Sequence, residues 1–115
     1  MFRHMAILKF KDDADPAAID AYMAAFPGFA NGMPTINKWY IGRNEGAGGE
    51  SHVKRHGLRG NYDVGLVLEF YTPDDYLKYA ESKEHQAFFE RYCAPIFAER
   101  VVVQFHPGET EFHPD

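Results

Sequence analysis

Hydrophobic residues alternate with other residues along four stretches of the chain, and a period of two is typical of strands with one buried face. These stretches are residues 2–10, 35–41, 61–70 and 101–105. The third is the most regular, since every second residue from 62 to 70 is apolar. The second alternates least cleanly, so we expect it to be an edge strand or to be partly covered by a partner.

A helix is predicted between the first and second strands, because apolar residues recur there at intervals of three and four. This apolar stripe consists of Ile19, Tyr22, Met23 and Phe26. Asp15 is placed to cap the helix, and Pro16 suits its first turn because the missing N–H would be unpaired there. Pro27 followed by Gly28 is expected to end it.

A second helical region is predicted after the third strand. Thr72 can cap its first helix, Pro73 suits the first turn, and Ser82 can cap a second helix that Pro95 limits. The apolar stripe of the second helix consists of His85, Phe88, Phe89 and Tyr92. His85 is therefore the polar member of a face that is expected to be buried.

The order strand, helix, strand, strand, helix, strand predicts an α+β ferredoxin-like fold, with a four-stranded antiparallel sheet and its helices on one face. The other face of the sheet would then be bare. Met5, Ile7, Val67 and Trp39 are expected there, and a monomer rarely exposes such an apolar patch. We therefore predict a homodimer joined sheet to sheet, since a two-fold axis lets the patch cover its own copy.

The chain is predicted to be one domain at residues 1–105 with a polar tail at 106–115. Residues 42–60 contain six glycines and four Lys or Arg residues, which predicts a long loop, either disordered or a flap over an anionic ligand. His52 and His56 have the spacing of helical metal ligands. The flanking glycines and the lack of a fixed carboxylate argue against a metal site.

The net charge argues against some classes of binding partner, and the cysteine content indicates the cellular compartment. The net charge is −5, so the long-range field opposes binding to nucleic acid or to an anionic membrane. Cys93 is the only cysteine, which excludes an intrachain disulfide and fits a cytoplasmic, reducing compartment. We interpret Cys93 as a packing residue rather than a nucleophile. The apolar run near the N-terminus is too short for a membrane span or a signal sequence.

Two histidines occupy faces that are otherwise apolar, and they are the strongest candidates for a site. His4 is the only polar residue on its side of the first strand, and His85 lies on the stripe of the late helix. An unpaired buried polar group costs on the order of 1–3 kcal/mol. The pair therefore either belongs to a satisfied core or lines a pocket with Tyr79 nearby.

Several segments resemble the Dabb family, the stress-responsive dimeric α/β-barrel domains. They are HMAILKFK, YDVGLVLEF, TPDDYLKYAESKEHQAF and the closing VVVQF. The most specific part is a Tyr-Asp strand followed by a tyrosine and a Pro-x-His segment, which here is Lys83-Glu84-His85 without the proline. The resemblance implies the ferredoxin-like fold and a barrel-like dimer, and it implies little about activity.

One branch of this family, the olivetolic acid type of cyclase, closes linear polyketides by aldol condensation without a metal or organic cofactor. The resemblance to that branch implies a pocket between sheet and helices with His85, His4 and Tyr79 as its polar residues. The branch has a tyrosine late in the first helix, where this sequence has Phe26. The loss of that hydroxyl argues against an identical substrate or reaction.

These residues are compatible with several functions. In a cofactor-independent lyase or cyclase, His85 would act as general base, His4 would orient it or the substrate, and Tyr79 would donate a hydrogen bond. The remaining pocket would be lined by Phe26, Tyr22, Phe88 and Phe89. The alternatives are a dimer that binds or senses a small apolar or aromatic molecule without turnover, a structural stress-response homodimer, and a cofactor-free monooxygenase. We expect no cofactor, because no phosphate-loop or dinucleotide fingerprint is present.

Overall fold

The computed structural model describes residues 1–57 and 62–108. The strands are β1 (Phe2–Phe10), β2 (Lys38–Arg43), β3 (Val64–Phe70) and β4 (Phe97–Phe105). The helices are α1 (Pro16–Asn31), α2 (Gly49–Arg55), α3 (Pro73–Ala80) and α4 (Lys83–Phe88), and α4 continues into a π-helical turn at Phe89–Cys93. Within these two ranges, no helix combines the length and the hydropathy that crossing a membrane requires.

The four strands form one antiparallel sheet in the order β2-β3-β1-β4. With its helices on one side, this is the predicted ferredoxin-like α+β fold. β1 and β3 are the central strands, and β2 lies at an edge, as its weak alternation indicated. Opposite residues in an antiparallel pair share a face, so the pairs His4–Leu68 and His4–Gln104 place three side chains on the same side of the sheet.

The core lies between the helices and one face of the sheet, which we call the inner face. Alternate residues of β1 and β3 project onto it, as the period of two predicted. The buried inner-face residues of these strands are Phe2, Ala6, Leu8, Val64, Leu66, Leu68 and Phe70. From the helical layer, Tyr22 and Phe26 of α1 and Tyr79 of α3 pack against them. The predicted stripe of α1 is therefore the side that covers the sheet.

α1 continues past the point where the sequence was expected to end it. Pro27 lies inside the helix, which runs on to Asn31. An internal proline removes one backbone hydrogen bond and costs about 3 kcal/mol. The last turn offsets that cost by packing, because Ala30 is buried and the Phe29 ring stacks on that of Phe88 at a centroid distance of 4.1 Å. The prediction that Pro27-Gly28 ends the helix was wrong.

The segment 42–60 contains more regular structure than the predicted loop. β2 extends to Arg43, and α2 occupies Gly49–Arg55. The glycines lie at the ends of α2, where Gly48 and Gly57 have φ values of +84° and +66°, so they cap the helix rather than break it. Residues 58–61 of the predicted loop and residues 109–115 of the predicted tail lie outside the described residues.

The start of the last strand also differs from the expectation. β4 begins at Phe97 rather than at residue 101, since the chain turns directly from the π-helical turn into the sheet. The helix caps agree with the sequence: the Thr72 hydroxyl accepts from the Asp75 N–H, and the Ser82 hydroxyl accepts from the His85 N–H.

The face of the sheet opposite the helices, which we call the open face, carries large exposed apolar side chains. They are Met5, Ile7, Tyr40, Val101 and Val103. Trp39 is not among them, contrary to the prediction. It pairs with Leu68 on the inner face, its ring packs edge-on against Phe26, and its indole N–H donates to the Asn31 side chain at 2.8 Å. Tyr40 lies on the open face, at the place that was predicted for Trp39.

The core assignment predicts a large difference between two leucines. Leu68 is 0% exposed at the centre of β3, whereas Leu77 is 47% exposed on α3. We expect Leu68→Ala to lower the free energy of unfolding by about 2–5 kcal/mol, and Leu77→Ala to change it by about 0.5 kcal/mol or less. Urea-induced unfolding followed by circular dichroism measures both. Similar losses for the two variants would contradict this core.

Candidate functional site

A cavity of about 370 Å³ lies between the inner face and the helices. It is lined by polar side chains from β1, α3, α4 and β4, and by many aromatic rings. Its lining includes all seven residues that the sequence singled out for a site: His4, Tyr22, Phe26, Tyr79, His85, Phe88 and Phe89. The volume lies within the range of roughly 300–1,000 Å³ that small organic ligands occupy.

His4 is held on the inner face of β1 by neighbours on both sides. Its ring stacks on Tyr76 at a centroid distance of 4.8 Å. Its Nδ1 lies 2.9 Å from the Gln104 Nε2, which can only donate, so Nδ1 accepts and Nε2 carries the proton. Burial lowers the pKa of His4 from 6.5 to about 4, and electrostatic interactions with His85, when it is protonated, and with Arg100 act in the same direction. His4 is therefore neutral at neutral pH.

His85 approaches the cavity from the first turn of α4, which the Ser82 cap fixes. Its ring packs edge-on against the Tyr79 ring at a centroid distance of 4.6 Å. Burial lowers the pKa of His85, a hydrogen bond to the Ala80 backbone raises it, and the nearby Arg100 lowers it. The net shift is downward, so a lone pair on the imidazole is available for accepting a proton near neutral pH.

Tyr79 and Tyr22 bring hydroxyl groups into the same apolar layer. Both rings are buried, and burial is the main cause that raises the pKa of each phenol well above its ordinary value. The hydroxyls therefore remain protonated and able to donate. Among the contacts of residues 1–57 and 62–108, neither hydroxyl has a hydrogen-bond partner, and neither is a fully enclosed unpaired atom. Each can therefore donate to a guest in the cavity.

The sequence analysis missed three residues of this site: Tyr76, Gln104 and Arg100. Tyr76 and Gln104 hold His4, and Arg100 lines the cavity from β4, where its Cζ lies 4.6 Å from the Phe89 ring centroid. Arg100 and Val102 are exposed although they line the cavity, so the cavity opens along β4. Arg100 and Gln104 could have been found by their position on β4, since Gln104 pairs with His4 and Arg100 is four residues away on the same side of the strand. Using this signal requires knowing how β4 pairs with β1.

Cys93 also lines the cavity, from the π-helical turn. It is buried, and burial raises the pKa of its thiol to about 12, partly opposed by Arg100. A thiol with this pKa is protonated and a poor nucleophile, in agreement with its interpretation as a packing residue. In α2, the His52 and His56 rings lie 4.5 Å apart, and the described part of the chain contains no cluster of three or more His, Cys, Asp or Glu that could hold a metal.

The family model of the stress-responsive A/B barrel domain matches residues 2–107. The chain belongs to this family, Dabb. No curated protein matches the sequence. Membership confirms the resemblance that was based on Tyr62-Asp63 of the third strand and on the segment Lys83-Glu84-His85. The ferredoxin-like fold is the one that this resemblance implied.

Solved structures similar to this Dabb domain have different descriptions. A dimeric ferredoxin-like protein of unknown function from Thermobifida fusca has 25% identity and a TM-score of 0.71, with 90% of this chain and 88% of that chain covered. A hydroxynitrile lyase from Passiflora edulis has 19% identity and a TM-score of 0.75, covering 96% and 95%. An antibiotic biosynthesis monooxygenase has 12% identity and a TM-score of 0.64, covering 94% and 99%. The last two likenesses establish a shared fold only.

The lowered pKa of His4 predicts a loss of stability in mild acid. The unfolded imidazole binds a proton near pH 6.5 and the folded one only near pH 4. Between these values the unfolded state binds more protons, so the free energy of unfolding falls as the pH falls. We expect His4→Gln to remove part of this pH dependence. The free energy of unfolding of the variant, relative to that of the wild type, should therefore be higher at pH 4.5 than at pH 7.

Chemical denaturation at a series of pH values measures this effect. Val102→Ala, which changes a neighbouring cavity residue without a titratable group, should differ from wild type by a constant amount over the same range. A His4→Gln difference that is equally constant would contradict the assignment of a depressed pKa to His4.

Proposed function

We propose that the protein binds a small apolar or aromatic molecule in the cavity and acts on it as a cofactor-independent lyase or cyclase, with His85 as general base. The observation that carries this proposal is that His4, Tyr79 and His85, which come from three different elements, line one cavity. A core that only needed to be filled would not require three polar rings at one void. The mostly aromatic and aliphatic lining favours an apolar or aromatic guest over a polar sugar or nucleotide.

The proposed reaction begins with proton removal. The neutral His85 imidazole accepts a proton from a carbon next to a carbonyl group, the electron pair of the broken C–H bond forms a C=C bond, and the π pair of the carbonyl moves to its oxygen. The Tyr79 hydroxyl donates a hydrogen bond to that developing enolate oxygen. In a cyclase, the enolate carbon then attacks a second carbonyl carbon, and the alkoxide formed takes the proton back from His85. In a lyase, the bond from the next carbon to a leaving group breaks instead, a C=C bond forms, and the leaving group takes its bonding electrons and the proton from His85. His4 orients the substrate through its protonated Nε2.

Two observations favour His85 over His4 as the base. The Nδ1 lone pair of His4 accepts a hydrogen bond from Gln104, and His4 has the lower basicity, with a pKa of about 4. The His85 ring packs directly against Tyr79, the proposed hydrogen-bond donor. Binding without turnover is the simplest alternative, because the same cavity would serve it. The fold likeness to a monooxygenase adds no residue in favour of oxygen chemistry.

The base assignment predicts a specific loss of activity. With a panel of aromatic β-keto compounds, exchange of the α-proton for deuterium can be followed by NMR above the uncatalysed rate. We expect His85→Gln to reduce the catalysed exchange by about 10²–10⁴-fold, the usual contribution of a positioned base. Tyr79→Phe should give a smaller loss, because the base remains.

Gln86→Ala is the matched control, since Gln86 is the exposed next residue of the same helix and does not line the cavity. Its exchange rate should equal that of the wild type. If His85→Gln retains activity within a few-fold, His85 is not the base. If the wild type catalyses no exchange but binds the compounds, the protein is a binding module.

We further propose that two copies associate through the open face of the sheet. Its exposed apolar patch includes five large side chains and the groove beside Ile7, where Gly42 and Gly65 lie opposite each other and leave open space. Side chains of a second copy could fill that groove. The Thermobifida fusca neighbour is described as dimeric, which supports association of two copies, and the cost of leaving such a patch in water favours the open face as the interface.

The dimer can be tested with two adjacent residues of β4. Val103 projects onto the open face and is 57% exposed, whereas Val102 projects onto the inner face and is 46% exposed. We expect Val103→Asp to weaken association at least tenfold, because it places a charge in an apolar interface. Val102→Asp should leave association unchanged. Analytical ultracentrifugation measures both, and a monomeric wild type or equal effects of the two variants would contradict the proposal.

A further inference from the structure

The cavity wall carries one permanent charge. The residues that line it include neither Asp nor Glu, and Arg100 is the only Lys or Arg among them. The two lining histidines have lowered pKa values and are neutral at neutral pH. Within residues 1–57 and 62–108, Arg100 is therefore the only charged group that lines the cavity. This contrasts with the whole chain, whose net charge is −5.

The described part of the protein does not neutralise Arg100. Its two ion pairs are Arg3 with Glu69 and Arg43 with Asp20. Glu81 and Glu90 line the neighbouring outer groove together with Arg100, yet neither carboxylate lies within the 4.0 Å of an ion pair. The guanidinium instead lies over the Phe89 ring. That contact stabilises its position without occupying its hydrogen-bond donors with a carboxylate.

The position of Arg100 gives the cavity two unlike ends. Arg100 pairs with Leu8 across β1 and β4, on the inner face, and it lies at the opening along β4. The interior beyond it is formed by the rings of Tyr22, Phe26 and Phe88. A guest that fits both ends has an apolar or aromatic body and one negative charge at its outer end.

We propose that the ligand of this cavity is a small aromatic or apolar carboxylate, and that Arg100 binds its carboxylate group. A guanidinium presents paired N–H donors that match the two oxygens of a carboxylate. A single guanidinium suits a monoanion better than a phosphate or a dianion. This inference rests on the proposed function, because it names the class of molecule that the same cavity would hold.

In the proposed reaction, such a contact also fixes the direction of the substrate. With the carboxylate at Arg100, the carbon chain extends inward past His85 and Tyr79, the proposed base and hydrogen-bond donor. Arg100 is then a binding residue, and its removal should weaken binding of the acid rather than abolish acceptance of a neutral analogue.

Matched pairs of acids and amides test the charge requirement, since each pair shares a carbon skeleton. The probes are benzoate and benzamide, trans-cinnamate and trans-cinnamamide, and 1-naphthoate and 1-naphthamide. Titration into the ¹⁵N-labelled full chain, followed by NMR, detects binding down to millimolar affinity and reports which residues it perturbs. We expect at least one acid to bind roughly tenfold or more tightly than its amide, with shifts at cavity residues.

Variants at Arg100 identify the group responsible. Arg100→Met should reduce the preference for the acid to about twofold or less while leaving the affinity for the amide unchanged. Arg100→Lys should retain part of the preference, because it keeps the charge and loses the paired donors. Arg91→Met is the control: Arg91 also lies over an aromatic ring, that of Tyr92, but does not line the cavity. It should behave like the wild type.

The outcomes separate this inference from the proposed function. If acids and amides bind the cavity equally, or if Arg100→Met keeps the preference, the carboxylate assignment is wrong and small-molecule binding stands. If none of the six probes perturbs cavity residues, both proposals are wrong together. A preference that is lost equally in Arg91→Met would show a general effect of surface charge and would also overturn the assignment.

Discussion

The structure depends on covering one apolar face of a sheet with a single layer of helices. The inner-face side chains of β1 and β3 are buried by this layer, to which α1 contributes Tyr22, which is 1% exposed, and Phe26. The same layer continues past Pro27, where Ala30 is buried and Phe29 stacks on Phe88. It also determines where everything else lies, because a side chain of the sheet faces either this layer or the uncovered side.

The candidate site follows from imperfect filling of that layer. His4, Tyr79 and His85 occupy positions where apolar side chains would close the void, and burial keeps all three uncharged near neutral pH. Uncharged imidazoles and phenols exchange protons and hydrogen bonds without the large cost of a buried ion. The Arg100 guanidinium, which carries the permanent charge of an arginine side chain, lies at the opening, where it is exposed to water.

The sequence predicted most of the sheet and the polar residues of the cavity, since a period of two assigns inner and outer positions without knowledge of the partner strand. The predictions from the sequence were wrong where tertiary contacts determine the structure. Pro27 is tolerated only because Phe29 and Ala30 are packed, and Trp39 faces inward because of its pairing with Leu68. Arg100 lay outside the predicted last strand, and the side on which Arg100 and Gln104 lie is known only from the register of β4 with β1.

The uncovered inner side of β4 determines the route by which a guest would enter and leave the cavity. Arg100 and Val102 are exposed to solvent there, so the entrance lies between the sheet and the π-helical turn. No segment within residues 1–57 and 62–108 covers these two side chains, so these residues do not have to move before a molecule of the right width can pass. Exchange would then be governed by desolvation of the two surfaces, and the dwell time by the contacts made inside.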